Sequence, residues 1–289
     1  MTPEEEEAIR REFEAARSGG HERQTTQAQQ QEPSFDLNEF SRIRHVVGVI
    51  SGKGGVGKSL VTGILARELA RQGHKVGILD ADITGPSIPR MFGLADEKAM
   101  GMGNLIVPAT TAGGMKVMSA NLVLEHEDDP VIWRGPVLAG AIRQFWAETY
   151  WEELDYLLVD MPPGTGDVPL TVFQSLPIEG VVIVSSPQDL VQMVVGKAVN
   201  MASMMDVPVY GLVENMAYFV CPHCGEKVEP YGPSRLEETA KHYGLKALGQ
   251  LPIDGSFAKA CDEGKAETEL PDGLLPEAVA AITELVKRG

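Results

Sequence analysis

The chain has 289 residues, enough to bury a full core as one large α/β domain or two small ones. A formal net charge of −16, with no run of Lys or Arg, argues against a protein that grips nucleic acid. No stretch reaches the ~18 apolar residues a membrane helix needs, and the acidic start (MTPEEEE) is unlike a signal or transit peptide.

Three cysteines, two of them close together, suit a reduced compartment and a metal or redox role better than a disulfide framework. A cytoplasmic protein with neither nucleic-acid nor membrane partners is expected.

Residues 1–44 read as a separate polar extension. Residues 4–17 have the pattern of a short charged helix, and 18–33 are rich in Gln, Thr and Gly without apolar period, the composition of a disordered tether. Residues 45–289 then read as one domain.

That domain opens on HVVGVISGKGGVGKS. Val46, Val47, Val49 and Ile50 form an apolar run with no polar alternation, which predicts a buried strand over 45–51. Gly52, Lys53, Gly54, Gly55, Val56, Gly57, Lys58 and Ser59 complete G-x-x-x-x-G-K-S, and a helical pattern over 58–72 begins at once. This strand–loop–helix context is what a phosphate-binding loop requires. The glycines let successive N–H groups turn inward, and the helix N-terminus adds partial positive charge. Lys58 is placed to reach the terminal phosphates, and the Ser59 hydroxyl to join a magnesium shell.

Lys53 is a second lysine in the same loop. Like-charge crowding with Lys58 disfavours a shared phosphate, which leaves two readings. One is a lysine that reaches the nucleotide of a second subunit, in the manner of an arginine finger in trans. The other is a solvated loop lysine.

Further along, 75–80, 115–120, 156–161, 181–186, 207–215 and 247–251 read as strands, and 136–151, 190–205, 233–243 and 274–288 as helices. The alternation predicts an α/β fold, a mostly parallel sheet with helices on both faces, with ligands at the carboxyl ends of the strands. Asp80, Asp82 and Asp160 fall just after predicted strand ends. Asp160 sits where such NTPases hold magnesium through water, and the following PPGTGD is glycine-rich enough to rearrange with a γ-phosphate.

The second chemical signal is Cys221-Pro222-His223-Cys224-Gly225, a tight turn that aims two thiolates at one metal. One pair leaves two ligands to find, and His223 and Cys261 are candidates. Alternatively, two copies across a twofold axis supply four thiolates, enough for Zn or a [4Fe–4S] cluster. A zinc-stabilised structural knuckle is the main rival. A disulfide-oxidoreductase site is disfavoured, because Gly225 follows directly and 228–230 looks extended rather than helical. Cys261 itself reads as a buried small side chain.

Taken in order, the segments GKGGVGKS, DADITGPSIP, WRGP, DYLLVDMPPGTGD, ENMAYFVCPHCG and LPID resemble the Mrp/ApbC family of P-loop ATPases that carry iron–sulfur clusters. That family lies within the MinD-like group with a deviant Walker A loop, and the resemblance spans 43–288.

The resemblance implies ATP and Mg2+ as cofactors and slow ATP hydrolysis coupled to cluster transfer. It makes Lys53 the lysine that contacts phosphates across a nucleotide-sandwich homodimer, Asp82 the switch carboxylate that orients water, and Asp160 the acid near magnesium. Asn215 falls where the adenine edge is read, and Pro252 and Asp254 where the base is flanked. Cys221 and Cys224 match the pair that holds a labile, bridging [4Fe–4S] cluster, with Zn2+ as the rival occupant. Scaffold proteins and apo iron–sulfur proteins are the implied partners.

The chain departs from the family pattern in three places. The MIP18-like N-terminal domain has no counterpart, Thr84 stands where an aromatic or aliphatic residue is frequent, and the extra N-terminal cysteine cluster of eukaryotic relatives is missing. The alternative function is a MinD- or partition-type ATPase switch with a structural zinc knuckle. Electron transfer of the nitrogenase iron-protein kind ranks last, since that group's cluster cysteines come from two separated positions.

Overall fold

The computed structural model describes residues 36–83, 85, 87–123, 135–187 and 191–285. The N-terminal segment up to residue 35, Thr84, Pro86, Trp133 and Arg134 lie outside the described residues, as do the last residues of the closing helix pattern.

In chain order the elements are β1 (Arg42–Ile50), α1 (Lys58–Arg71), β2 (Val76–Asp80), α2 (Ile88–Met91), β3 (Met100–Met102), β4 (Leu105–Val107), β5 (Ala109–Thr110) and β6 (Lys116–Ser119). Next come α3 (Gly135–Ala147), β7 (Glu153–Asp160), α4 (Asp167–Phe173), β8 (Gly180–Ser185), α5 (Val191–Met204), β9 (Val209–Val220) and β10 (Lys227–Val228). The chain finishes with α6 (Leu236–His242), β11 (Ala247–Pro252), α7 (Gly255–Asp262), α8 (Ala266–Glu269) and α9 (Pro276–Leu285).

Nine strands form one sheet in the order β10-β9-β8-β1-β7-β2-β6-β5, with β11 paired to β9. β1 runs parallel to β7 and β8, and β2 parallel to β7 and β6. Among the described residues the antiparallel pairs within this sheet are the short β5–β6 and β9–β10, and β3 and β4 pair antiparallel as a separate ribbon. The apolar runs without alternation are therefore central parallel strands covered on both faces. Along β1, Val47 and Val49 join the core layer under α1, α7 and α9, whereas Val46 and Ile50 join the opposite layer under α3, α4 and α5. Among the described residues no helix is long and apolar enough to cross a membrane.

α1 shows why the site is rigid on one side. Val61, Ile64, Leu65 and Leu69 are all essentially inaccessible, so each contributes about 1.5–3 kcal/mol of burial to fixing the helix against the sheet.

Three segments differ from expectation. The helix expected to reach 151 ends at Ala147, because the next residues turn outward to pair with β4: Ile106 N donates to Glu148 O and Tyr150 N to Ile106 O, each at 2.8 Å. The strand expected to close at Asn215 continues to Val220, through the β-favouring run Met216–Val220 that β10 and β11 pair with. And β1 starts at Arg42, ahead of the apolar run, because its first residues pair with β7.

Candidate functional site

The loop between β1 and α1 is shaped by two close approaches. Gly57 has φ +79°, and a Cβ there would lie 2.1 Å from Asn215 Nδ2. Gly52 packs so tightly that a Cβ would meet the Val194 carbonyl oxygen at 2.3 Å. Gly57 is also the N-cap of α1, and no side chain caps that helix. Such a helix start, with free N–H groups and the positive end of the helix dipole, is suited to an anion.

Below the loop, three strand-end carboxylates converge. Asp160 is fully buried; its Oδ1 lies 2.6 Å from Lys58 Nζ and accepts from Thr62 Oγ1 at 2.9 Å, while its Oδ2 accepts from Ser59 Oγ at 2.6 Å. Asp82 Oδ2 stands 3.9 Å from Lys58 Nζ. Asp80 is the register partner of Asp160 on the neighbouring strand and is equally buried. Burial above all, then the Asp160 charge, pushes its carboxyl well above the usual range, against the opposing pull of Lys58 and the Ile88 N–H.

In the sequence Asp80 is one of three strand-end carboxylates that, beside a phosphate loop, point to metal and water handling. In the fold it organises the loop that carries Asp82: its Oδ1 accepts from Asp82 N at 3.2 Å, and its Oδ2 from Ser87 N at 3.1 Å and Ile88 N at 3.2 Å. The signal was present in the spacing of D-A-D before a turn, but the backbone donors that select Asp80 as the clamp come from the far side of that turn.

A cavity of about 550 Å³ opens over these groups, within the range of small-molecule sites. It is lined by Gly54, Gly55, Val56, Gly57, Lys58, Ser59 and Asp82 at one end, and by Asn215, Pro252 and Asp254 at the other. The structure thus brings together most of the expected phosphate-end and base-end residues. Lys53 and Gly52 belong to the loop but are not among the lining residues, and Asp160 lies beneath Lys58 and Ser59.

Asn215 is buried; its Nδ2 donates to Val56 O at 2.9 Å, and its Oδ1 has no partner among the described residues. A buried acceptor left unpaired costs about 1–3 kcal/mol, which marks this stretch of the wall as locally strained. The carboxylate of Asp254 caps α7 instead, accepting from Ser256 N at 2.8 Å and Ser256 Oγ at 2.7 Å.

Two features of the cavity were not foreseen. Cys261 lines it from α7, together with Phe257 and Ala258. Met216, next to Asn215, also lines it and holds φ +59°, a left-handed conformation inside a strand. The cause is a bulge: Gln250 pairs with Glu214 and Pro252 with Tyr218, so β9 spends three residues where β11 spends one.

Cys221 and Cys224 lie outside the cavity, in the hairpin that joins β9 to β10. Cys221 N donates to Glu226 O and Gly225 N to Cys221 O, both at 2.9 Å, while Gly225 takes φ +74°. Among the described residues no helix starts at the cysteines: β10 ends at Val228 and the next helix, α6, begins only at Leu236. The backbone N–H groups of Cys224 and His223, with the Cys224 thiol, hold the Cys221 thiol below its ordinary pKa, which favours a thiolate. Among the described residues no group of three or more His, Cys, Asp and Glu is arranged to hold a metal, so neither His223 nor Cys261 completes a set around the pair.

The hairpin is nevertheless tied to the cavity at both ends. Asn215 and Met216 precede it on β9, Tyr231 follows it, and all three line the cavity. Ile253, another lining residue, donates its N–H to Tyr218 O at 2.6 Å. Lys227 of β10 packs 3.7 Å over the Tyr218 ring and donates to Gln250 Oε1 at 3.3 Å.

A glycine-rich loop between a buried parallel strand and an uncapped helix, with lysine and serine at the helix start and carboxylates at adjacent strand ends, defines a P-loop NTPase. More narrowly, the chain belongs to the ParA family, described as NUBPL iron-transfer P-loop NTPase, whose model matches residues 42–287. It is similar to the iron-sulfur cluster carrier protein of Clostridium perfringens, 54% identical over 243 residues that cover 82% of this chain and 85% of that protein. A solved nucleotide-binding protein from Archaeoglobus fulgidus, in complex with ADP, is 46% identical with a TM-score of 0.72, covering 81% of this chain and 93% of that one. The cell-division ATPase MinD of Pyrococcus furiosus shares the fold at 19% identity and a TM-score of 0.60, over 84% of this chain and 98% of that one. The MinD-like architecture and the kinship with iron–sulfur cluster carriers that the sequence motifs implied both hold.

Proposed function

We propose that this chain is an ATP-hydrolysing carrier that holds a labile [4Fe–4S] cluster between two copies of itself and passes it to apo-proteins. The observation that carries the proposal is continuity: the Cys221–Cys224 hairpin grows out of two segments, at Asn215–Met216 and at Tyr231, that also wall the cavity over the phosphate loop. A change of occupant in that cavity has a direct mechanical route to the thiolates.

The residues present fit the expected cofactors. A nucleotide matches the cavity's size and the uncapped start of α1, while hard oxygen donors at Ser59, Asp82 and Asp160 suit Mg2+. Bound magnesium supplies charge neutralisation between the terminal phosphates. Within the chain, Lys58 carries positive charge to the same phosphates, Asp82 orients the attacking water, and Asp80 holds the loop that carries Asp82. Lys53 is assigned to the partner copy's nucleotide. Pro252 flanks the base, and Asp254 contributes by fixing the start of α7.

Cargo is bound by the cysteines. One chain offers two thiolates, and a [4Fe–4S] cluster takes four, so a symmetric pair of hairpins completes the set. Exposed Val220, Tyr231 and Ile253 surround the hairpin and give the two copies apolar surface to bury.

Asp82→Ala tests the assignment of chemistry. Turnover should vanish while ATP still binds, because the phosphate cradle is intact. Unchanged turnover would remove Asp82 from the mechanism.

A further inference from the structure

Glu214 is a buried carboxylate that the function just described does not use. It lies on β9 opposite Ser185 of β8 and Gln250 of β11, immediately before Asn215 and the left-handed Met216. Its Oε2 accepts from both Ser234 Oγ and Gln250 Nε2, the latter at 2.8 Å, so two segments hang on one oxygen atom. Gln250 Oε1 in turn accepts from Lys227 Nζ at 3.3 Å. Lys227, packed over the Tyr218 ring, belongs to β10, the return strand of the cysteine hairpin. Ser234 Oγ also accepts from Leu236 N at 3.2 Å, which fixes the start of α6.

Stability does not account for this arrangement. Both partners of Glu214 are neutral, and its Oε1 has none among the described residues. A carboxyl group buried on such terms costs energy that an apolar side chain of the same size would not. What the chain gains is geometry. Asn215 and Met216, just after Glu214, line the nucleotide cavity, as do Pro252 and Ile253 just after Gln250. A left-handed residue such as Met216 stores about 1–3 kcal/mol, so a ligand pressing on this wall meets backbone that is already strained. On the other side, Ser234, Gln250 and Lys227 line a second cavity of about 650 Å³, which gives them room to shift.

We propose that Glu214 is a positioning residue that couples the nucleotide cavity to the cysteine pair through Gln250 and Lys227. The proposal rests on the reading of the cavity as a nucleotide site with a mechanical route to the thiolates, and it names the side chains of that route. A nucleotide against Asn215, Met216 and Pro252 displaces β9 relative to β11 at the bulge. The Glu214–Gln250 bond passes the displacement to Lys227, and β10 carries it into the Cys221–Cys224 turn.

The experiment measures iodoacetamide alkylation rates of Cys221 and Cys224 in the full, metal-free chain, by peptide mass spectrometry, with and without saturating Mg-ADP. Neither cysteine lines the cavity, so ADP does not shield them directly. Calorimetry gives the ADP affinity of each variant. In the parent, ADP should change the rates at least threefold. Glu214→Met, which removes the acceptor, and Gln250→Leu, which cuts the branch to Lys227 from a half-buried position, should bind ADP within threefold of the parent and lose the rate change. Glu214→Gln, which keeps an acceptor oxygen, should retain it. If the parent responds and Gln250→Leu responds equally, the proposal is wrong and the mechanical reading stands by another route. A response lost in Glu214→Gln as fully as in Glu214→Met, or ADP binding lost in Gln250→Leu, also overturns it. If ADP binds the parent without altering either rate, the mechanical reading and the proposal fall together.

Discussion

Lys58 Nζ and Asp160 Oδ1 are 2.6 Å apart, and both side chains are withdrawn from water. The lysine that should meet phosphate is held by a carboxylate that also accepts from Ser59 and Thr62, so one buried anion sets the position of three side chains at the start of α1. In the proposed function, nucleotide and magnesium compete for groups that are already mutually satisfied.

The first prediction concerns that pair. Asp160→Asn removes the nearer counter-charge of a buried lysine and leaves Asp82 at 3.9 Å. The loss should approach the lower end of the ~3–5 kcal/mol that breaking a buried pair costs. Thermal unfolding of the nucleotide-free chain should fall accordingly. Lys58→Met combined with Asp160→Asn should be less destabilised than the two single changes sum to, because both charges are then gone. Additive losses would mean that the pair is not coupled.

Asn215 gives a prediction about the base. Asn215→Ala removes the Nδ2 bond that fixes Val56 in the cavity wall, so ADP should bind about tenfold more weakly, equivalent to about 1.4 kcal/mol. The preference for ADP over GDP should shrink with it. Calorimetry on the two nucleotides measures both effects, and an unaltered preference would place base recognition elsewhere.

Asp80 predicts a pH dependence of stability. Its carboxyl holds its proton to higher pH in the folded chain than in the unfolded one. Stability owed to the protonated group is fully present below the unfolded value of about 3.9, and is lost as pH rises through the folded value. Asp80→Asn does not titrate. The stability of the parent relative to Asp80→Asn, measured by denaturant unfolding in chelator, should therefore decline as pH rises from 4. A relative gain with pH would show that Asp80 folds as an ordinary ionised carboxylate.

The phosphate end was legible because its chemistry is written locally. Gly57, Lys58 and Ser59 sit at fixed spacing across one strand–loop–helix unit, and the buried run of β1 predicts the parallel sheet that carries it. The left-handed Met216 was not legible, because nothing in its neighbours asks for it. It arises from the uneven pairing of β9 with β11, two strands brought together only by the tertiary fold. Cys261 escaped for the same reason: its place in the cavity wall depends on α7 packing beside the start of α1. Asp254 shows the reverse case: LPID implies a place beside the base, and the residue does line the cavity, but its carboxylate is engaged in capping a helix.

The central claim is that two hairpins share one cluster, and stoichiometry tests it most directly. After anaerobic reconstitution, iron, acid-labile sulfide and mass in solution should together give about four Fe and four S per two chains, in a dimer. The Cys221→Ala, Cys224→Ala double variant should retain none. A full cluster on that double variant, or zinc bound to fresh and reconstituted protein alike with no iron–sulfur absorption, would contradict the account.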